Sequence, residues 1–130
     1  MKLGKTLESI LEKNKYPKFE KMEFSCINNK NFIKYINDYN FKNIIVSGIE
    51  SHICVLQTSM DLLQKGLNIL IPRDAIGSRN KMDNDTAFLR LILSGAVAST
   101  TESLICELCK TSNRKEFREV SKILKNSFSN

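Results

Sequence analysis

The stretch Gly48 to Gly66, GIESHICVLQTSMDLLQKG, decides how this chain reads, together with the β-branched run Asn43-Ile44-Ile45-Val46-Ser47 that leads into it. A continuous apolar run without polar alternation is the pattern of a strand covered on both faces, here Asn43 to Ile49. After the turn at Gly48, Val55, Thr58 and Leu62 recur at helical spacing until Gly66 ends the helix as a C-cap would. Cys54 falls in the first turn of that helix. Backbone N–H groups lack helical partners there and the helix dipole is positive, so the position favours a thiolate, the nucleophilic form of cysteine.

On the carboxyl side, Leu67 to Ile71 reads as a second buried strand, stopped by Pro72. A helix follows from about Asp83 to Ser94, with Ala87, Phe88, Leu91 and Ile92 inward and Gly95 closing it. Val97 to Thr100 is a third short strand, and two helices, about Glu102 to Lys110 and Lys115 to Lys125, complete the pattern. On the amino side, Phe32, Ile33, Ile36 and Tyr39 mark a helix from Asn31 to Tyr39. Lys18 to Cys26 alternates as a short strand, and Thr6 to Lys13 forms an amphipathic helix broken by Tyr16-Pro17. Strands alternating with helices of about ten residues imply βαβ units and a parallel α/β sheet. Ligands in such sheets bind at the carboxyl ends of the strands, a rim that here gathers Cys26, the turn Gly48 to Cys54, Asp74 and Ser99-Thr100-Thr101.

At 130 residues the chain is expected to form one domain. No apolar run approaches the roughly 20 residues that cross a bilayer, and MKLGKTLESILEK is too polar for a signal peptide, so a cytoplasmic protein without a membrane partner is expected. The net charge of +6 is spread among lysines and asparagines without interleaved stacking aromatics. That pattern reads as solvated surface, and no nucleic acid is expected as partner. Four cysteines without a secretory signal read as reduced thiols. The pair Cys106-x-x-Cys109 lies in a helical segment, where two small apolar side chains on one face explain it better than zinc, which would need two further ligands.

The motifs Lys21-x-x-Phe24-Ser25, GIESHICVLQTSMDLLQKG, DAIGSR from Asp74 to Arg79 and SGAVASTTESL from Ser94 to Leu104 resemble the isochorismatase-like cysteine hydrolases. The eukaryotic isochorismatase domain-containing proteins are the branch most similar, over about Leu3 to Lys125. The resemblance implies a three-layer α/β/α fold with a six-stranded parallel sheet in the order 3-2-1-4-5-6. It also implies an Asp, Lys, Cys triad that cleaves amide-type bonds through a thioester, in members often oligomeric. By position Cys54 matches the nucleophile and Lys21 the triad lysine. The Ile49–Glu50 bond matches a cis peptide that helps aim backbone N–H groups, those of Glu50 and Cys54, into an oxyanion hole. A small-molecule substrate is expected, with no metal and no cofactor, because the zinc cluster of nicotinamidases has no counterpart here.

One part of the pattern has no match. The family's first strand ends in the triad aspartate, and the sequence resembles the family only from just before its third strand, so the first strand, first helix and second strand are expected to be missing. Glu20 and Glu23 adjoin Lys21 in the chain, Asp74 matches a structural aspartate, and His52 is two residues from Cys54, where helical side chains do not face each other. None of them is a convincing base. The strand Asn43 to Ile49 would lose its neighbour and expose a sheet edge. A fragment or mis-started gene model, a partner or second copy covering that edge, and a non-catalytic remnant using the edge for binding are the three explanations.

Overall fold

A computed structural model describes residues 16–127. The helix expected from Thr6 to Lys13 lies outside the described residues. In order, the elements are α1 (Lys30–Asp38), β1 (Asn43–Ile45), β2 (Gly48–Ile49), a π-helical turn (Ser51–Val55) running into α2 (Leu56–Gln64), and β3 (Asn68–Pro72). After a short 3-10 turn (Arg73–Ala75) come β4 (Ile76–Gly77), α3 (Lys81–Leu93), β5 (Val97–Ser99), α4 (Thr101–Cys109) and α5 (Lys115–Ser127).

The strands form parallel pairs, as the alternation of strand and helix requires. One sheet has the order β1-β3-β5, with Ile44 beside Ile69 and Ile71 beside Ala98. β2 and β4 pair in parallel as a second, two-stranded sheet, with Gly48 beside Ile76. Val46 donates its N–H to the Leu70 carbonyl at 3.1 Å, so the β1–β3 pairing carries on toward this second ladder. Helices lie on both sides, and the fold is α/β.

Val55, Leu62, Ile69, Ile71, Ile76 and Leu91 form one buried cluster, where side chains of the helices around Cys54 and Ala87 meet the central strand. Burying such a side chain contributes about 1.5–3 kcal/mol each, which fixes α2 and α3 on the sheet. Gly66 and Gly95 end those helices at φ +79° and +103°, a left-handed backbone that only glycine takes without a Cβ penalty. The N–H groups of Leu67 and Ala96 reach back to Leu62 and Leu91 carbonyls, closing both ends.

Two sequence expectations are corrected. Residues 18–26 do not form a strand: the segment is irregular and closes in a 3-10 turn at Cys26–Asn28. Its alternation finds no partner strand, and Phe19 instead packs edge-on to Phe32, at 5.7 Å between ring centres. Nor is Asn43 to Ile49 one strand covered on both faces. It breaks at Val46-Ser47, Ile45 is 45% exposed and Ile49 57%, and β1 is an edge of its sheet. A continuous apolar run signals burial only where neighbouring elements cover it, and on this flank the described residues supply none.

Candidate active site

The turn after β2 carries the thiol. The Ile49–Glu50 peptide bond is cis. The Glu50 carbonyl accepts N–H groups from both Ile53 and Val55, at 3.1 and 3.3 Å, and this wide loop of backbone is the π-helical turn that the sequence reading took as an ordinary first turn of helix. Cys54 is half-buried, with Val55 and Leu56 beside it in the core.

Lys21 reaches the thiol from the irregular segment ahead of α1. Its Nζ lies 3.5 Å from Cys54 Sγ, and it donates to the carbonyls of Glu23 and Phe24 at 2.8 and 2.9 Å. An ammonium has three N–H donors, so these partners use all of them and aim the charge at the sulfur. A segment without regular structure holds this geometry through four ties. Phe19 packs on Phe32 and Tyr35, and Asn29 Nδ2 donates to the Glu20 carbonyl at 2.6 Å. Ser25 Oγ donates to Asp61 Oδ2 at 2.5 Å, and the Cys26 N–H to Thr58 Oγ1 at 3.0 Å. The last two bind the lysine's segment to the helix that begins at the cysteine.

Of the other rim residues, Asp74 is engaged elsewhere: its Oδ1 accepts the N–H and hydroxyl of Thr101, at 2.8 and 3.1 Å, at the start of α4. The His52 ring meets Ser78, Glu50 and Asp83. On α4, Cys106 is exposed and Cys109 half-buried, and no group of three or more potential metal ligands occurs among the described residues. A cavity of about 180 Å³ lined by Ile33, Ile36, Asn37, Lys65 and Leu67 lies at the amino ends of β1 and β3, away from Cys54.

The sequence reading missed Ser25, Thr58 and Asp61. Thr58 follows Cys54 by four residues and so shares its helical face, which was a legible signal; that Ser25 and Asp61 meet across 36 residues was not.

The isochorismatase domain model matches residues 4–103. The chain belongs to the isochorismatase family. Isochorismatase family protein 1B of Dictyostelium discoideum is 38% identical over 129 residues, 95% of this chain and 62% of that protein. The MAR1 ribonuclease structure from Caenorhabditis elegans superposes with a TM-score of 0.74 at 38% identity, over 80% of this chain and 53% of that one. The nicotinamidase PncA from Bacillus subtilis gives a TM-score of 0.66 at 25% identity, over 75% and 56%. The chain therefore spans about three fifths of the length of the Dictyostelium family proteins 1A and 1B that it matches. This isochorismatase-family chain has a hydrolase fold.

Proposed function

We propose that this chain carries the nucleophilic half of a cysteine hydrolase site that acts on a small amide or related acyl compound. The observation that carries the reading is the Lys21 ammonium 3.5 Å from Cys54 Sγ. A cation at that range balances charge that develops during attack. Cys54 forms a thioester with the acyl carbon while the leaving group departs, and the N–H groups of Glu50 and Cys54 hold the oxyanion. Water then cleaves the thioester. The family resemblance assigns the thiol's proton to an aspartate, which would hand it on to the leaving amine; among the described residues no carboxylate is hydrogen-bonded to the Cys54 thiol, whose side-chain partner is Lys21. The nicotinamidase neighbour supports the amide class.

The test is acylation with p-nitrophenyl acetate, whose activated leaving group departs without proton help, followed by ammonia release from a panel of small amides. A Cys54-linked acetyl group that disappears in Cys54→Ser supports the reading. Labelling confined to the exposed Cys106 sinks it.

A second reading, non-catalytic binding through the sheet edge, is favoured by the exposure of Ile45 and Ile49. Native mass spectrometry separates the two: a stable hetero-oligomer without acylation supports binding. RNA, the substrate class named for the nematode neighbour, has only the net charge of +6 in its favour, and binding that falls steeply with salt would be its signature.

A further inference from the structure

The turn that carries Glu50 and Cys54 is fastened to β4's exit and to α3 by a chain of side-chain hydrogen bonds that does not include Lys21. Ser51, fully buried, donates from Oγ to Asn84 Oδ1 on α3 at 2.7 Å. Its Oγ also lies 2.5 Å from Ser78 Oγ, and Ser78 Oγ lies 2.9 Å from His52 Nδ1. Each hydroxyl has one proton, so the directions follow. Ser51 spends its proton on Asn84, so Ser78 must donate to Ser51. Ser78 has then no proton left for the histidine, and His52 must donate from Nδ1. The other nitrogen, Nε2, faces the Glu50 and Asp83 carboxylates at 4.0 Å each, and Arg79 Nε lies 3.4 Å from the other Glu50 oxygen.

We propose that His52 is a positioning residue: locked as the Nδ1–H tautomer by the chain His52–Ser78–Ser51–Asn84, it holds the backbone turn whose N–H groups stabilise the oxyanion. The inference rests on reading Glu50 and Cys54 as oxyanion donors. His52 flanks both, and Ser78 and Asn84 anchor it to β4's exit and to α3, elements that contain neither Lys21 nor Cys54. The charged groups on the ring are Glu50 from its own turn, Asp83 from α3, and Arg79 acting through Glu50. The hydrogen bond made by one ring nitrogen decides which nitrogen carries the proton, and here it leaves Nε2 bare toward two carboxylates whenever the ring is neutral.

Two measurements on the full chain test this. The first is 15N NMR of the ring, unambiguous because the chain has a single histidine. The neutral ring is expected as Nδ1–H, with Ser78→Ala releasing that preference; an Nε2–H ring in the unmodified protein overturns the proposal. The second compares two reactions of Cys54. In acylation by p-nitrophenyl acetate, sulfur bonds to the acetyl carbon, the carbon–oxygen bond breaks, p-nitrophenolate leaves with the electron pair, and the thiol proton goes to water. Alkylation by iodoacetamide passes through no oxyanion. Ser78→Ala and His52→Gln are expected to slow acylation about tenfold or more while leaving alkylation unchanged. Equal loss of both reactions marks a structural role only, and unchanged acylation marks none; either result overturns the proposal. If Cys54 in the unmodified protein is acylated no faster than Cys106, the hydrolase reading fails instead, and the tautomer measurement still decides the hydrogen-bond chain.

Discussion

Lys21 Nζ and Cys54 Sγ, 33 residues apart in the chain, meet at 3.5 Å, and the remaining donors of the lysine are held by two carbonyls of its own segment. The ammonium is thus fixed before any substrate arrives, which is the arrangement a pre-organised charge requires. Lys21→Met is expected to lower the rate of Cys54 acylation about 100-fold. The thermal midpoint should change little, since the lysine's partners are exposed carbonyls that water can satisfy. Stopped-flow detection of nitrophenolate alongside a thermal melt checks both halves.

The Ser25–Asp61 contact is one of two ties that bind the lysine's segment to α2, the other being the Cys26 N–H to Thr58. Ser25 is buried, so Ser25→Ala leaves Asp61 without this donor and should cost about 1–3 kcal/mol of stability. The larger effect should fall on the Lys21–Cys54 pair. In a double-mutant cycle with Lys21→Met, Ser25→Ala should slow acylation in the Lys21 background and have little further effect once the lysine is gone.

Leu62 is fully buried on α2, in the cluster with Ile69, Ile71 and Leu91. Leu62→Ala should destabilise the chain by about 2–5 kcal/mol, read as a lower denaturant midpoint with an unchanged slope. A shift below about 1 kcal/mol would mean that α2 is not packed on the sheet as described.

The Asp85 carboxyl on α3 titrates below the ordinary carboxylate range. The hydrogen bond from Lys81 is the main cause, opposed by desolvation and aided by the charges of Lys81 and Arg73, and it holds the carboxyl below its usual 3.8. A depressed folded-state value contributes stability at pH above the usual value, and that contribution is lost as pH falls through the folded-state value. Asp85→Asn should therefore flatten the acid limb of the stability curve. Because the carboxyl is solvent-exposed, added salt should erase the difference between variant and unmodified protein.

The exposed Ile45 and Ile49 lie on the edge strands β1 and β2. If a second copy covers that edge, Ile45→Lys should shift the sedimentation profile toward monomer, because charge on an edge strand opposes pairing. An unchanged profile would count against self-association through β1.

Much of this fold was legible because its signals are local. The period of Ala87, Phe88, Leu91 and Ile92 sets one helix, Gly66 and Gly95 set two helix ends, and three apolar runs set the parallel strands. The segment around Lys21 was misread as a strand because its alternation is real but unpaired. What holds it is long-range, Phe19 on Tyr35 and Ser25 on Asp61, and no local pattern encodes such contacts. At the site, the proximity of Lys21 and Cys54 was expected only through family resemblance. The partners of Ser51 and His52 had no signal in spacing, because Ser78 and Asn84 lie more than 25 residues away, and the π-helical turn at Ser51–Val55 differs from an ordinary first turn only in which N–H groups reach the Glu50 carbonyl.

The central claim is that Cys54, beside Lys21, is the acyl-accepting nucleophile. Its most direct test is the site-resolved rate of acetylation by p-nitrophenyl acetate, followed by peptide mapping of Cys26, Cys54, Cys106 and Cys109 in the same sample. Preferential acetylation of Cys54, at least about tenfold over exposed Cys106 and lost in Lys21→Met, is the predicted result. Acetylation of Cys54 no faster than Cys106, or unaffected by removal of Lys21, would contradict it.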